Sequence, residues 1–154
     1  KVSKNGKVTG KKKGTAYITA KIGKKRYKCK VVVMDDYDIA SKLIDAYNWQ
    51  CKDIWNNGFC DIYHYIEYGS NSYGKSMNPK KVISQLNLSL KKKKTYNNFV
   101  TCVKGKKYKK FKTTWNKLYK ETNNLSSILK KNGTPKPFSN YYFPYESIET
   151  ICTI

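Results

Sequence analysis

Two stretches of strict alternation near the amino terminus constrain this chain most, because a period of two is presented on one face only by extended backbone. Ala16, Ile18, Ala20 and Ile22 alternate with Thr15, Tyr17, Thr19 and Lys21, an apolar face against a wetter one. This predicts a half-buried strand. Gly23-Lys24 supplies a tight turn, after which Tyr27, Cys29, Val31 and Val33 line one face of a second run whose other face begins with Lys28 and Lys30. Ahead of both, Asn5-Gly6 is the residue pair that best tolerates positive φ at two successive positions, so it predicts a type I′ turn and a hairpin of its own. Three short antiparallel strands are expected. Cys29, on the apolar face, is expected to be a small core residue.

Three strands with one apolar face cannot bury that face alone; they need a second layer. The helical remainder could supply it, as could a second copy through self-association, or strands preceding Lys1 in a longer protein.

The segment NGKVTGKKKGTAYITAKIGKKRYKCKVVV resembles the closing half of a bacterial immunoglobulin-like domain, group 2. The matching features are Asn5-Gly6, Val8, the Thr-rich strand from Gly14 to Ala20, and the valine strand Val31 to Val33. The front half of such a domain has no counterpart in the chain, and the resemblance covers roughly a fifth of it. It implies a β-sandwich from proteins displayed outside the cell, often in tandem with adhesive or enzymatic neighbours, and no catalytic residues. The expected fold class is therefore α+β: residues 1–34 as a three-stranded antiparallel fragment of an Ig-like sandwich, residues 35–154 as a small α-helical bundle. The setting that the resemblance implies is extracellular, or the cell wall of a Gram-positive bacterium. Cell-wall or host surface polymers are the implied partners.

After Met34 the apolar spacing changes to three and four. Asp35, Asp36 and Asp38 suit a helix N-terminus, where the helix dipole favours anions. Ile39, Leu43, Ala46, Tyr47, Gln50, Cys51 and Ile54 form a stripe, and Asn56-Asn57-Gly58 offers a stop or a close-packing point. Phe59, Ile62 and Ile66 resume helical spacing up to Gly69, and residues 68–79 have the composition of a loop. Asn78 as cap with Pro79 at the first helical position opens a helix through Val82, Ile83, Leu86 and Leu90. Residues 95–103 continue it or form a short helix of their own, and Lys104-Gly105 ends that. Phe111, Trp115, Leu118, Thr122, Leu125 and Leu129 give the seam of a long helix that Asn132-Gly133, Pro135 and Pro137 terminate. The tail from Phe138 to Ile154 is apolar enough to pack back as a strap, with a short helix from Pro144.

The chain carries 32 basic residues against 10 acidic ones, a net charge of +22. Arg26 is the single arginine. Lysine is a hydrated point charge and lacks the planar fork that grips guanine or phosphate, so the excess favours general polyanion attraction over sequence readout. The charge is also divided: residues 1–34 hold no acid, the acids gather between Asp35 and Glu67, and the lysines return from Lys75 onward. Unlike charges on packed segments attract modestly.

The best candidate surface is polyanion-binding: Lys91, Lys92, Lys93 and Lys94, with Lys106, Lys107, Lys109, Lys110 and Lys112 interleaved with Tyr108 and Phe111. Phe111 also belongs to the helix seam, which makes the same lysines a solvated helix face. Teichoic acid or another wall polymer fits, with nucleic acid as the alternative. Trp49, Trp55 and Trp115 could stack on sugar rings, although Trp115 is spaced as core and the other two are six apart.

His64 is the lone histidine, four residues after Cys60, which builds no recognisable nucleophile elbow. Tyr63-His64-Tyr65 reads instead as a half-buried aromatic stretch. Cys29, Cys51, Cys60, Cys102 and Cys152 show no metal-ligand spacing. An exported chain could join them in one or two disulfides, whereas an anaerobic habitat leaves them as thiols. No catalytic site, metal or cofactor is expected, nor any membrane span.

Overall fold

Gly14–Ile22 (β1) and Lys25–Val33 (β2) pair antiparallel in unbroken register from Gly14 opposite Val33 to Ile22 opposite Lys25. The structure, a computed structural model, describes residues 1–144 and is a mixed α+β fold. It divides into two units, Lys1–Ile44 and Asp45–Ile154. In the first, the register puts Ala16, Ile18 and Ala20 opposite Val31, Cys29 and Tyr27, so the apolar face read from the alternation forms as expected. Gly23 takes φ +58° and Lys24 does not turn left-handed, which makes the connection a II′-type turn with glycine at its first central position.

Three corrections follow. The sheet has two strands, and the Ig-like sandwich does not form among the described residues. The third expected strand closes on itself: Val2 and Val8 make one isolated bridge, with Thr9 N–H donating to Lys1 O at 2.9 Å. Asn5-Gly6 does direct this small hairpin, yet not as a type I′ turn. Gly6 N–H donates to Ser3 O at 3.0 Å across Lys4-Asn5, and of the two expected positions only Gly6 is left-handed, at φ +74°. This is a type I turn followed by a left-handed residue, and Ser3 Oγ holds it by accepting from Lys7 N–H at 3.0 Å. Finally, a half-buried β1 is not found. Ile18 alone in that strand is half-buried, and Cys29 lies exposed. Two strands offer a side chain no opposing layer, whatever the alternation says.

Asp36–Asn48 (α1) starts where the acids predict. Asp35 Oδ1 accepts from Asp38 N–H at 2.9 Å, the capping bond of a residue just outside the first turn. Lys13 Nζ then bridges Asp35 Oδ2 at 3.0 Å and Asp38 Oδ1 at 2.8 Å. The backbone bond from Asp38 and then Lys13 hold the Asp35 carboxyl below its ordinary value. Lys13 is raised, first by Asp38 and then by Asp35.

The second unit contains the least expected element. Trp49–Cys60 continues the helix without a break, but as a π-helix of 12 residues. Such i→i+5 winding is rare and mostly confined to single turns. Trp49 and Gln50, Ile54 and Trp55, Gly58 and Phe59 are its buried residues. Positions five apart diverge by about 140° in an α-helix of 3.6 residues per turn; the wider turn keeps the three pairs on one side. Asn56 and Asn57 sit outward, so Asn-Asn-Gly stops nothing. Gly58 is the close-packing point instead: a Cβ there would lie 2.8 Å from Leu86 Cδ1.

Asp61–Tyr68 (α2) ends on Gly69, left-handed at φ +70°, whose N–H donates to Tyr65 O. Asp61 orders the following loop by accepting at Oδ1 from Ser72 N–H at 2.9 Å and Ser72 Oγ at 2.6 Å. Pro79–Leu90 (α3) has the expected cap, with Asn78 Oδ1 accepting from Lys81 N–H at 3.2 Å. Lys93–Cys102 (α4) is a separate helix. A 3-10 turn, Lys106–Tyr108, leads into Lys109–Asn132 (α5). As described, the tail packs back: Phe138 N–H donates to Ile66 O at 2.7 Å, and the buried Phe143 ring lies 5.9 Å from that of Phe59. The short helix expected from Pro144 lies outside the described residues.

Two outcomes are expected. Gly58→Ala should lower stability to urea by about 1 kcal/mol, since overpacking costs about 1–3 kcal/mol and the gain in helix propensity is only about 1 kcal/mol. Combining it with Leu86→Ala should cost less than the sum of the single changes. The Asp35 side chain, followed by NMR, should titrate below an ordinary aspartate and rise in Lys13→Met. Because its folded value is the lower one, its contribution to stability is present above the usual carboxylate range and is lost as pH falls through the folded value.

Candidate polyanion interface

The expected lysines fall into two groups at opposite ends of α4. Lys91 to Lys94 occupy its N-terminus, and Lys106 to Lys112 follow its C-terminal end. The helix has 10 residues, so the groups stand roughly 15 Å apart along its axis. Helix α5 returns antiparallel to α4, as three side-chain contacts show. Lys112 Nζ donates to Thr101 O and Val103 O, both at 2.9 Å; Trp115 Nε1 donates to Asn97 Oδ1 at 3.1 Å; and Lys93 Nζ donates to Asn123 Oδ1. The nine candidates are therefore not one patch.

Nor are they equivalent. Lys112 satisfies carbonyls that the end of α4 leaves without intrahelical partners, the role for which a cation near a helix C-terminus is favoured. Lys93 is part-buried, with its Nζ also 5.7 Å from the Tyr119 ring centre. Both serve the packing of α4 on α5. Lys107 lies over the Tyr108 ring at 5.2 Å. Lys91, Lys92, Lys94, Lys106, Lys109 and Lys110 are exposed. The partners Asn97, Asn123 and Tyr119 escape sequence reasoning; their signal is a spacing that becomes visible only when α4 and α5 are set antiparallel.

Each group also crowds a helix N-terminus. α4 begins after Lys92 and α5 after Tyr108, neither with a side-chain cap and neither with an acid in the first turn. The positive end of the dipole meets lysines there, an arrangement that costs about 0.3–1 kcal/mol per cation and that an anion would relieve.

The other candidate residues are placed differently. Trp49, Trp115 and Trp55 are 3%, 3% and 9% exposed, so they form core and no sugar-stacking platform. Trp49 lies 4.9 Å from Tyr96 and 6.3 Å from Trp115, ring centre to ring centre. His64 is half-buried, with the rings of Tyr63 and Tyr68 at 5.8 Å and 5.4 Å, the aromatic stretch expected of it. Cys29, Cys51, Cys60 and Cys102 are reduced, and burial pushes the Cys51 thiol up, against a smaller lowering by Tyr47. A raised thiol is a poor nucleophile near neutral pH. Among the described residues no group of three or more histidines, cysteines and acids could hold a metal ion. Nor is any helix there long and apolar enough to cross a membrane.

A scan against protein-family models finds no match, and searches of curated proteins and of solved structures return no similar chain.

Lys112→Ala should destabilise the protein by about 1–2 kcal/mol through the carbonyls it strands, whereas Lys110→Ala should stay within about 0.5 kcal/mol. Paired urea melts distinguish the two.

Proposed function

We propose that the chain is a non-catalytic module that holds polyanionic polymers and works outside the cell, as an adhesive or presenting element on a Gram-positive surface. The observation that carries this reading is the charge surplus. Even if each of the 10 acids neutralised one cation, 22 of the 32 basic residues would keep their charge without an acidic partner. Two of the densest lysine groups lie at helix N-termini that lack caps and acids, where anions are favoured. The extracellular setting is supported by the resemblance of residues 5–33 to the closing strands of a bacterial immunoglobulin-like domain. Teichoic acid and related wall polymers, or acidic polymers of a host surface, have the matching chemistry, and nucleic acid is the alternative ligand. The scarcity of arginine favours attraction to charge density over recognition of a sequence.

Binding to an immobilised phosphate polymer should weaken linearly in log affinity against log salt, with a slope of about 0.7–0.9 per phosphate contacted. Lys106→Glu, Lys109→Glu and Lys110→Glu together should lower that slope by about 2–3. The same number of reversals at Lys117, Lys120 and Lys136 should change it less. Equal effects of the two triple variants would mean unlocalised attraction and would defeat the assignment to these clusters.

A further inference from the structure

The β-hairpin has two chemically distinct faces and one sign of charge. On one face Ile18, Ala20 and Ile22 pair across with Cys29, Tyr27 and Lys25; on the other Tyr17, Thr19 and Lys21 pair with Lys30, Lys28 and Arg26. Towards its turn the ribbon gathers Lys21, Lys24, Lys25, Arg26, Lys28 and Lys30, and residues 1–34 contain no acid. Lys21 stands directly opposite Arg26, a like-charge pair that weakens a two-stranded ribbon. The apolar face is open where the cations are densest: Ile22 is 70% exposed and Tyr27 53%. At its other end Gly10 approaches Val33, where a Cβ would lie 2.9 Å from the valine methyls.

These features discriminate between occupants. A phosphate polymer would answer the cations and leave Ile22 and Tyr27 in water. A second copy of the ribbon would bring like charge onto like charge. An anionic lipid surface answers both, because apolar side chains enter the boundary between headgroups and acyl chains while cations stay with the lipid phosphates. A tyrosine ring suits the headgroup level, and lysine stems reach sideways to it.

We propose that the turn end of this hairpin docks peripherally on an anionic lipid surface, with Ile22 and Tyr27 entering the interface and Lys24, Lys25, Lys21 and Arg26 meeting the headgroup phosphates. The interaction is separate from polymer binding by the helix lysines, and the two can fail independently.

Flotation of the whole chain with vesicles tests it. Vesicles of phosphatidylcholine with about 30% phosphatidylglycerol should carry the protein up the gradient, and vesicles of phosphatidylcholine alone should not. Ile22→Ser with Tyr27→Ser should weaken flotation about tenfold and leave retention on heparin unchanged, and Lys24→Glu with Lys25→Glu should weaken flotation while most of the heparin retention, carried by the helix lysines, persists. Ile22→Trp should tighten vesicle binding, which guards against reading a damaged hairpin as a lost contact. The proposal is overturned if the serine variant floats like the parent, since the attraction would then be Coulombic alone. It is overturned equally if the protein is retained on heparin but ignores anionic vesicles, which would leave polymer binding by the helix lysines standing and the hairpin without a lipid role.

Discussion

The helical unit depends on the wide-turn segment Trp49–Cys60, because α3, α4, α5 and the tail each make a specific contact with one of its buried residues. Gly58 admits Leu86 of α3, and Trp49 Nε1 donates to Ser89 O at 3.2 Å near the end of the same helix. The Trp49 ring meets Tyr96 of α4 and Trp115 of α5. Gln50 donates to Thr122 Oγ1 of α5 at 2.9 Å, a buried pair in which each group satisfies the other. Phe59 takes Phe143 from the tail. Ile54 and Phe59 are wholly buried, each contributing on the order of 1.5–3 kcal/mol by leaving water. An α-helix through the same residues would turn part of this set outward.

Electrostatics divides the lysines by task. Lys13 ties the segment before β1 to the first turn of α1 through two carboxylates, and Lys93 and Lys112 tie α4 to α5 through oxygen acceptors that carry no formal charge. In those places a lysine completes hydrogen bonds the backbone or an amide leaves open. The larger number on the surface has too few acids to meet, so the protein carries uncompensated charge that any anionic partner would lower in energy. Long lysine clusters thus read alike in sequence and differ in function according to which carbonyls lie within reach.

Much of the local structure was legible. The acids at 35–38, the Asn78-Pro79 start, the Lys104-Gly105 break and the Asn132-Gly133 end all act where they were read, because caps and breakers work through neighbouring backbone groups. The hairpin register and its apolar face were legible for the same reason: a two-residue turn leaves the flanking strands one pairing. Misreadings came where a local signal permitted two answers. Asn5 tolerates either sign of φ, and the Ser3 hydroxyl bond accompanies a type I turn; Val2 and Val8 alternate well enough for a strand, yet they bridge each other. Of the candidate lysines, exposure could be guessed, but the capture of Lys93 and Lys112 could not.

Taken by itself, the amino-acid order determined where helices start and end, which residues share a face of the ribbon, and how much positive charge the chain must carry, since each of these follows from neighbours a few positions apart. Tertiary structure alone decided the π winding of residues 49–60, the burial of Trp49 and Trp55, the exposure of Cys29 and the division of the candidate lysines between helix packing and the surface. Those outcomes depend on what stands opposite a side chain, and residues such as Gln50 and Thr122 meet across a sequence separation of 72 that no local pattern spans.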